Sequence, residues 1–224
     1  MSETNMVELE MEPLSGPIDL SHTALLIIDM QKDFLEAGGF GEALGNDVSK
    51  LQRAIEPCKK VLEATRARGM MVIHTREGHR PDMTDVHLRK ISPSGKTIGD
   101  LGPMGRILIR GEEGHDIIPD LYPRSGEPVI DKPGKGAFYA TDLQTILTIH
   151  NISTLLVCGV TTEVCVHTTI REANDRGLHC IAVGDCCASF FDEFHRIALE
   201  MIKAQNGIFG SVTDSEKVLA ALSN

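Results

Sequence analysis

No apolar run in this chain is long enough to span a bilayer, which sets aside the helical membrane class. Basic residues are in deficit: 22 Lys and Arg stand against 32 Asp and Glu, for a formal charge of −10. A nucleic-acid binder needs a basic face, and an acidic surface weighs against anionic macromolecular partners while saying little about a small neutral substrate. The opening residues Met1 to Glu12 lack the basic and apolar regions of a secretory leader. The chain therefore reads as soluble and cytoplasmic. There is no Cys-x-x-Cys pair, no internal repeat and no low-complexity tract. The six cysteines (Cys58, Cys158, Cys165, Cys180, Cys186 and Cys187) do not call for a disulfide framework in a chain of this length without a leader. Cys186 and Cys187 are adjacent, which disfavours an unstrained bridge between them. Cys158 and Cys180 fall within apolar runs and read as inert buried thiols.

What is present is the material of one α/β domain. The 224 residues are 42% hydrophobic, enough for a sizeable core. Residues 1–20 read as a flexible arm broken by Pro13, Gly16 and Pro17, and residues 21–224 as a single domain. Short apolar runs predict strands at 24–29, 70–74, 128–131, 154–158, 179–183 and 207–209. Helical spacing marks 47–68, 142–150, 162–176 and 192–205, with Gly69 and Gly177 as stops. The alternation predicts a doubly wound three-layer α/β/α fold of Rossmann type, with a mostly parallel six-stranded sheet. Residues 76–125 interrupt it. They are rich in Gly, Pro and charge, with a short strand at 106–109, and such an insertion is functional, disordered or oligomer-forming.

In open parallel sheets ligands bind beyond the carboxyl ends of the strands. The first strand ends in Asp29, Lys132 follows the third, and the fourth runs through Gly159-Val160-Thr161-Thr162-Glu163-Val164 to Cys165. An acid, a base and a thiol thus converge on one edge. Amides at a strand-to-helix turn favour a thiolate and can hold an oxyanion. Taken singly, each has a plain structural reading: Asp29 as a strand cap, Lys132 as a solvated lysine with Lys135 its rival in the same loop, Cys165 as a buried thiol. Phe34 and Phe138 could wall a pocket or belong to the core. Gln205 could be an ordinary polar residue at a helix end.

Three blocks carry a family resemblance: Ile27-Ile28-Asp29-Met30-Gln31-Lys32-Asp33-Phe34; Lys132 six residues before Phe138, followed by Ala140-Thr141-Asp142-Leu143; and Gly159 to Val166. Together they resemble the isochorismatase-like cysteine hydrolases over nearly all of the chain after residue 20. The resemblance implies that Asp29, Lys132 and Cys165 form a catalytic triad. It implies a non-proline cis peptide at Val160–Thr161, and an oxyanion hole from the amides of Thr161 and Cys165. A narrower resemblance, to the biuret hydrolases and related ureide amidohydrolases, rests on residues 74–82, 131–136 and 171–177. It implies a substrate contact from Gln205; Phe34, Lys135 and Phe138 are candidate pocket residues from their positions in the sequence. Nicotinamidases of the same superfamily carry an Asp-x-His-x-x-x-His-like metal site. Here Glu77-Gly78-His79 departs from it and His87 is out of register, so no metal and no cofactor is expected despite His74, His79 and His87.

The implied reaction is thioester-forming hydrolysis of a C–N bond in a small amide or ureide. Biuret, giving allophanate and ammonia, is the first expectation. Triuret or ureidoacrylate is the alternative; nicotinamide, N-carbamoyl amino acids or a non-catalytic binding role come behind. A strongly cationic pocket would favour a carboxylate-bearing substrate such as ureidoacrylate. The resemblance also implies a homo-oligomer, a tetramer.

Overall fold

The computed structural model describes residues 5–91 and 95–223. The chain opens with β1 (Met6–Leu9) and β2 (Gly16–Asp19), which pair antiparallel. The expected loose arm is thus replaced by an ordered hairpin from residue 5 onward; residues 1–4 lie outside the described residues. The reason is a pattern that the prolines mask: Leu9 and Met11, then Ile18 and Leu20, are apolar at every second position, and all four enter the core.

Next come β3 (Thr23–Ile28), the short helices α1 (Lys32–Leu35), α2 (Phe40–Ala43) and α3 (Ser49–Gln52), α4 (Ile55–Ala67) and β4 (Met71–Glu77). A small hairpin of β5 (Leu101–Gly102) and β6 (Gly105–Arg106) lies in the long β4-to-β7 connection. The second half runs β7 (Val129–Lys132), α5 (Leu143–Ile149), β8 (Thr154–Val160), a π-type turn at Thr162–Val166, α6 (His167–Asp175), β9 (His179–Ala188), α7 (Asp192–Gly207), β10 (Ser211–Thr213) and α8 (Ser215–Ser223). The sixth strand is therefore Ser211–Thr213, not 207–209. Gly207 still belongs to α7, and Phe209 folds back to donate to the Ile202 carbonyl. Helix α8 is not among the expected elements.

Six strands form one parallel sheet in the order β10-β9-β8-β3-β4-β7. Side chains alternate across it. Leu25, Ile27, Leu156, Cys158 and Ile181 meet α4 and α8 on one face. Leu26, Ile28, Leu155, Val157 and Ala182 meet α5, α6 and α7 on the other. The central strands are buried on both faces, which is why they read as unbroken apolar runs. Beyond β3 the chain builds one wing of the sheet through β4 and β7, then returns to β8 and builds the other. The order reverses between β3 and β8, and a crevice opens there at the carboxyl ends. The two strands approach closely: a Cβ on Gly159, at φ +119°, would lie 2.0 Å from the Ile28 carbonyl oxygen.

The 76–125 segment is ordered where it is described. Ile98, Ile107, Leu108 and Ile109 form a satellite core that also takes Phe34 and Phe40. Residues 107–109 are thus buried, but the strand is Gly105–Arg106 instead of 106–109. Buried Asp33 staples the segment down by accepting from the Leu108 amide at 2.9 Å. Among the described residues no helix is long and apolar enough to cross a membrane.

Candidate active site

The parallel register sets the site. Glu77 and Lys132 are paired residues at the carboxyl ends of β4 and β7, and Ile28 pairs with both Thr75 and Gly159. Asp29, one residue past β3, sits at φ +52°, a left-handed conformation that is uncommon for a residue with a Cβ and is often found at functional sites. Its Oδ1 accepts from the Thr75 hydroxyl at 2.6 Å, and Oδ2 lies 2.7 Å from Lys132 Nζ. Lys132 Nζ also donates to the carbonyls of Gly134 and Lys135, both at 3.0 Å. Asp29 and Lys132 are wholly buried.

Cys165 lies in the π-type turn after β8. The peptide between Val160 and Thr161 is cis, as the resemblance implies. Cys165 Sγ donates to Glu77 Oε2 at 3.5 Å. Glu77 is fully buried, 3.8 Å from Lys132 Nζ and 2.6 Å from Lys135 Nζ. Asp29, Glu77 and Cys165 each offer an atom within 4.8 Å of the other two. Such a trio could in principle hold a metal, but the Lys132 ammonium stands among it and offsets both carboxylates.

The electrostatics follow from burial and close charges. Burial pushes the Cys165 thiol well above its ordinary value; Lys132 and Lys135 pull it back, and Asp29 and Glu77 push it further up. Burial works against the charges of Glu77 and the two lysines, but their mutual attraction wins. Glu77 is held below the usual carboxylate range, and Lys132 and Lys135 are held above the usual lysine range. Lys90, reaching in from the long connection to bond the Pro133 carbonyl, is lowered by burial.

Cys165 opens onto a cavity of about 230 Å³ whose lining includes Glu77, Lys135, Thr161, Glu163 and Asn46 with Phe34, Phe40, Phe190 and Phe191. Asp29, Lys132, Cys165, Thr161, Lys135 and Phe34 are thus brought together. Phe138 is not: it packs in the core beneath α5 and α6, under the Arg176 guanidinium. Nor is Gln205, which is exposed at the end of α7 with φ +50°, and does not line the cavity. Its helix runs away from the carboxyl edge, so the distal end of α7 cannot face Cys165 within one chain. His74, His79 and His87 are engaged separately, with Glu127, with Asp85 and in capping the Arg89 amide. Glu77 is the residue the sequence reading undervalues. It ends an apolar strand just as Asp29 does, but the strand predicted at 70–74 stops three residues short of it.

The isochorismatase domain model matches residues 23–217. Ureidoacrylate amidohydrolase RutB of Acinetobacter baylyi is 30% identical over 93% of this chain and 86% of its own length. A cysteine hydrolase from Pseudomonas syringae pv. phaseolicola has a TM-score of 0.79 and 30% identity, over 100% of this chain and 99% of that one. N-carbamoylsarcosine amidase from Thermoplasma acidophilum shares the fold with a TM-score of 0.67 at 22% identity, over 87% of this chain and 96% of that one. The sheet order, the site at its switch point and these likenesses agree: the chain belongs to the isochorismatase family.

Proposed function

We propose that the protein hydrolyses a small ureide through a Cys165 thioester, with a ureido acid of the ureidoacrylate type as its substrate in place of biuret. The observation that carries the chemistry is the buried contact set Cys165–Glu77–Lys132–Asp29 at the floor of an open cavity. Substrate entry expels water and brings Asp29 into use as the proton acceptor for Sγ, while Lys132 holds Asp29 in place. The thiolate forms a C–S bond to the carbonyl. The oxyanion faces the amides of Thr161 and Cys165 at the turn. The C–N bond then breaks, and the amine leaves with the proton Asp29 took. Water attacks the thioester and gives a proton to Asp29, the C–S bond breaks, and Asp29 returns that proton to Sγ. The choice of a ureido acid is supported by the 30%-identical ureidoacrylate amidohydrolase, and Lys135, on the cavity wall beside Glu77, is the cation nearest to hand for a substrate carboxylate.

The reading is tested by amine release from ureidoacrylate, biuret, triuret, nicotinamide and N-carbamoylsarcosine, with Cys165→Ser alongside. Ureidoacrylate is expected to be the best substrate, and the variant to lose about 10³-fold or more in kcat. Normal turnover by Cys165→Ser, or release from none of the panel, overturns it. A homo-oligomer, with the tetramer implied by resemblance, belongs to the same proposal. The exposed apolar face of α7, with Phe194, Ile197 and Met201, supports it.

A further inference from the structure

The turn that carries Cys165 has an inner and an outer side. Thr161, Glu163, Val164 and Cys165 line the cavity, and Thr162 does not. Thr162 is wholly buried, and its hydroxyl is hydrogen-bonded to Nδ1 of His195 at 2.8 Å. His195 stands near the start of α7 and outside the cavity. It lines an outer cleft with Arg53, Pro57, Asp185, Cys187 and Asp192. Asp192 is paired with Lys50 at 3.1 Å and with Arg53 at 2.7 Å, which joins the start of α7 to the chain around α3. Those pairs are exposed and hold little. The bond to Thr162 is the buried link.

Other bonds of the turn are local. The amides of Val164 and Val166 both donate to the Thr161 carbonyl, at 3.1 and 3.3 Å, and the Thr169 hydroxyl donates to the Cys165 carbonyl at 2.7 Å. They fix the turn within itself and to the start of α6. Among the described residues, the side-chain hydrogen bond that joins the turn to α7 is Thr162–His195. A buried hydroxyl stripped of its partner is costly, so the turn would shift until Thr162 found another. Thr161 precedes Thr162 and Cys165 follows in the same turn, so that shift would move both groups that meet the substrate carbonyl. We propose that His195 is a positioning residue for the hydrolysis: by holding Thr162 it fixes the turn that presents the Thr161 amide and the Cys165 thiol. This rests on the hydrolase reading above and extends it to a residue that does not line the cavity.

The test combines steady-state kinetics on the best substrate of the panel above with hydrogen exchange of residues 159–167. It uses the full-length protein and its His195→Phe, His195→Asn and Thr162→Val variants. The first keeps a ring without the nitrogen, and the second offers a polar atom close to the place of Nδ1. His195→Phe is expected to lower kcat by about 10–10²-fold with KM changed by less than about twofold, because misplaced reacting groups act on the transition state. His195→Asn should recover most of that loss. Thr162→Val should match His195→Phe, and the double variant should lose little more than either alone. Exchange at 159–167 should quicken by about tenfold in His195→Phe and Thr162→Val. Thr162→Val keeps the test open if His195→Phe fails to fold. An unchanged kcat, a loss confined to KM, a loss that His195→Asn does not recover, or a double variant that loses the product of the two overturns the proposal. Release from no substrate by the wild type would sink the hydrolase reading. The exchange measurement then still decides whether His195 holds the turn: quickened exchange upholds it and unchanged exchange overturns it.

Discussion

At the residue scale the site depends on a charge balance that no single group explains. Two buried carboxylates and a buried lysine would each be costly alone; the lysine ammonium stands 2.7 Å from Asp29 and 3.8 Å from Glu77 and serves both. Glu77 adds a second function, since it is the acceptor of the resting thiol proton and the partner of Lys135. Glu77→Gln keeps the shape and removes the charge. We expect kcat to fall by about 10²–10⁴-fold, with Cys165 alkylation by iodoacetamide changed in its pH profile. The sign is set by geometry: Glu77 raises the thiol, so its removal should move the alkylation profile to lower pH. A variant with normal kcat and an unmoved profile would reduce Glu77 to a strand-end carboxylate. The remaining cysteines have no comparable surroundings. All six are free, and burial pushes Cys180 up to about 12.

At the scale of elements, the short α1 and α2 with the chain up to Asn46 supply Phe34, Phe40, Gly41, Leu44 and Asn46 to the cavity. They are anchored from below by Asp33, which the Leu108 amide contacts at 2.9 Å, so the long connection supports the cavity wall. Closure of that wall depends on Gly41. A methyl there meets the Phe190 ring tip and the Phe34 carbonyl, both at 2.9 Å. Gly41→Ala should therefore cost roughly 1–3 kcal/mol and raise KM more than it lowers kcat, because it disturbs the wall and leaves Cys165, Glu77 and Lys132 in place. Urea unfolding with steady-state kinetics checks both parts. Unchanged KM together with unchanged stability would show that α2 is not packed as described.

At the scale of the whole molecule, acid sensitivity should come from groups away from the cavity. Burial lowers His115 to about 4, and the nearby Arg76 adds to it. Between pH 6.5 and 4 the unfolded chain binds a proton that the folded chain refuses, so stability should fall as pH drops through that window. Glu127 works at lower pH. Burial opposes its charge, but Arg66, the Arg124 amide and His74 outweigh it and lower it from 4.5 to about 2. Its contribution is complete above pH 4.5 and is lost as pH falls towards 2. Urea midpoints measured from pH 7 to 3 should decline in both windows. His115→Gln should flatten the upper one, and Glu127→Gln the lower; a slope unchanged in both variants would refute the assignment.

The sequence alone determined the fold class and most of the floor of the site. Buried parallel strands must be continuous apolar runs, and the switch-point rule then selects the residues just beyond them: Asp29, Lys132 and Cys165. Local patterning reached that far because burial on both faces leaves a one-dimensional trace. It failed where a contact joins segments distant in the chain. Glu77 became a neighbour of Cys165 only through strand register, the wall of phenylalanines only through the folding of 34–46 against 190–191, and the N-terminal hairpin only through its seat on the core. Gln205, named by resemblance, stands at the exposed end of α7 because of the direction in which that helix runs. Those outcomes depend on packing between elements far apart in sequence, which no single stretch of the chain encodes.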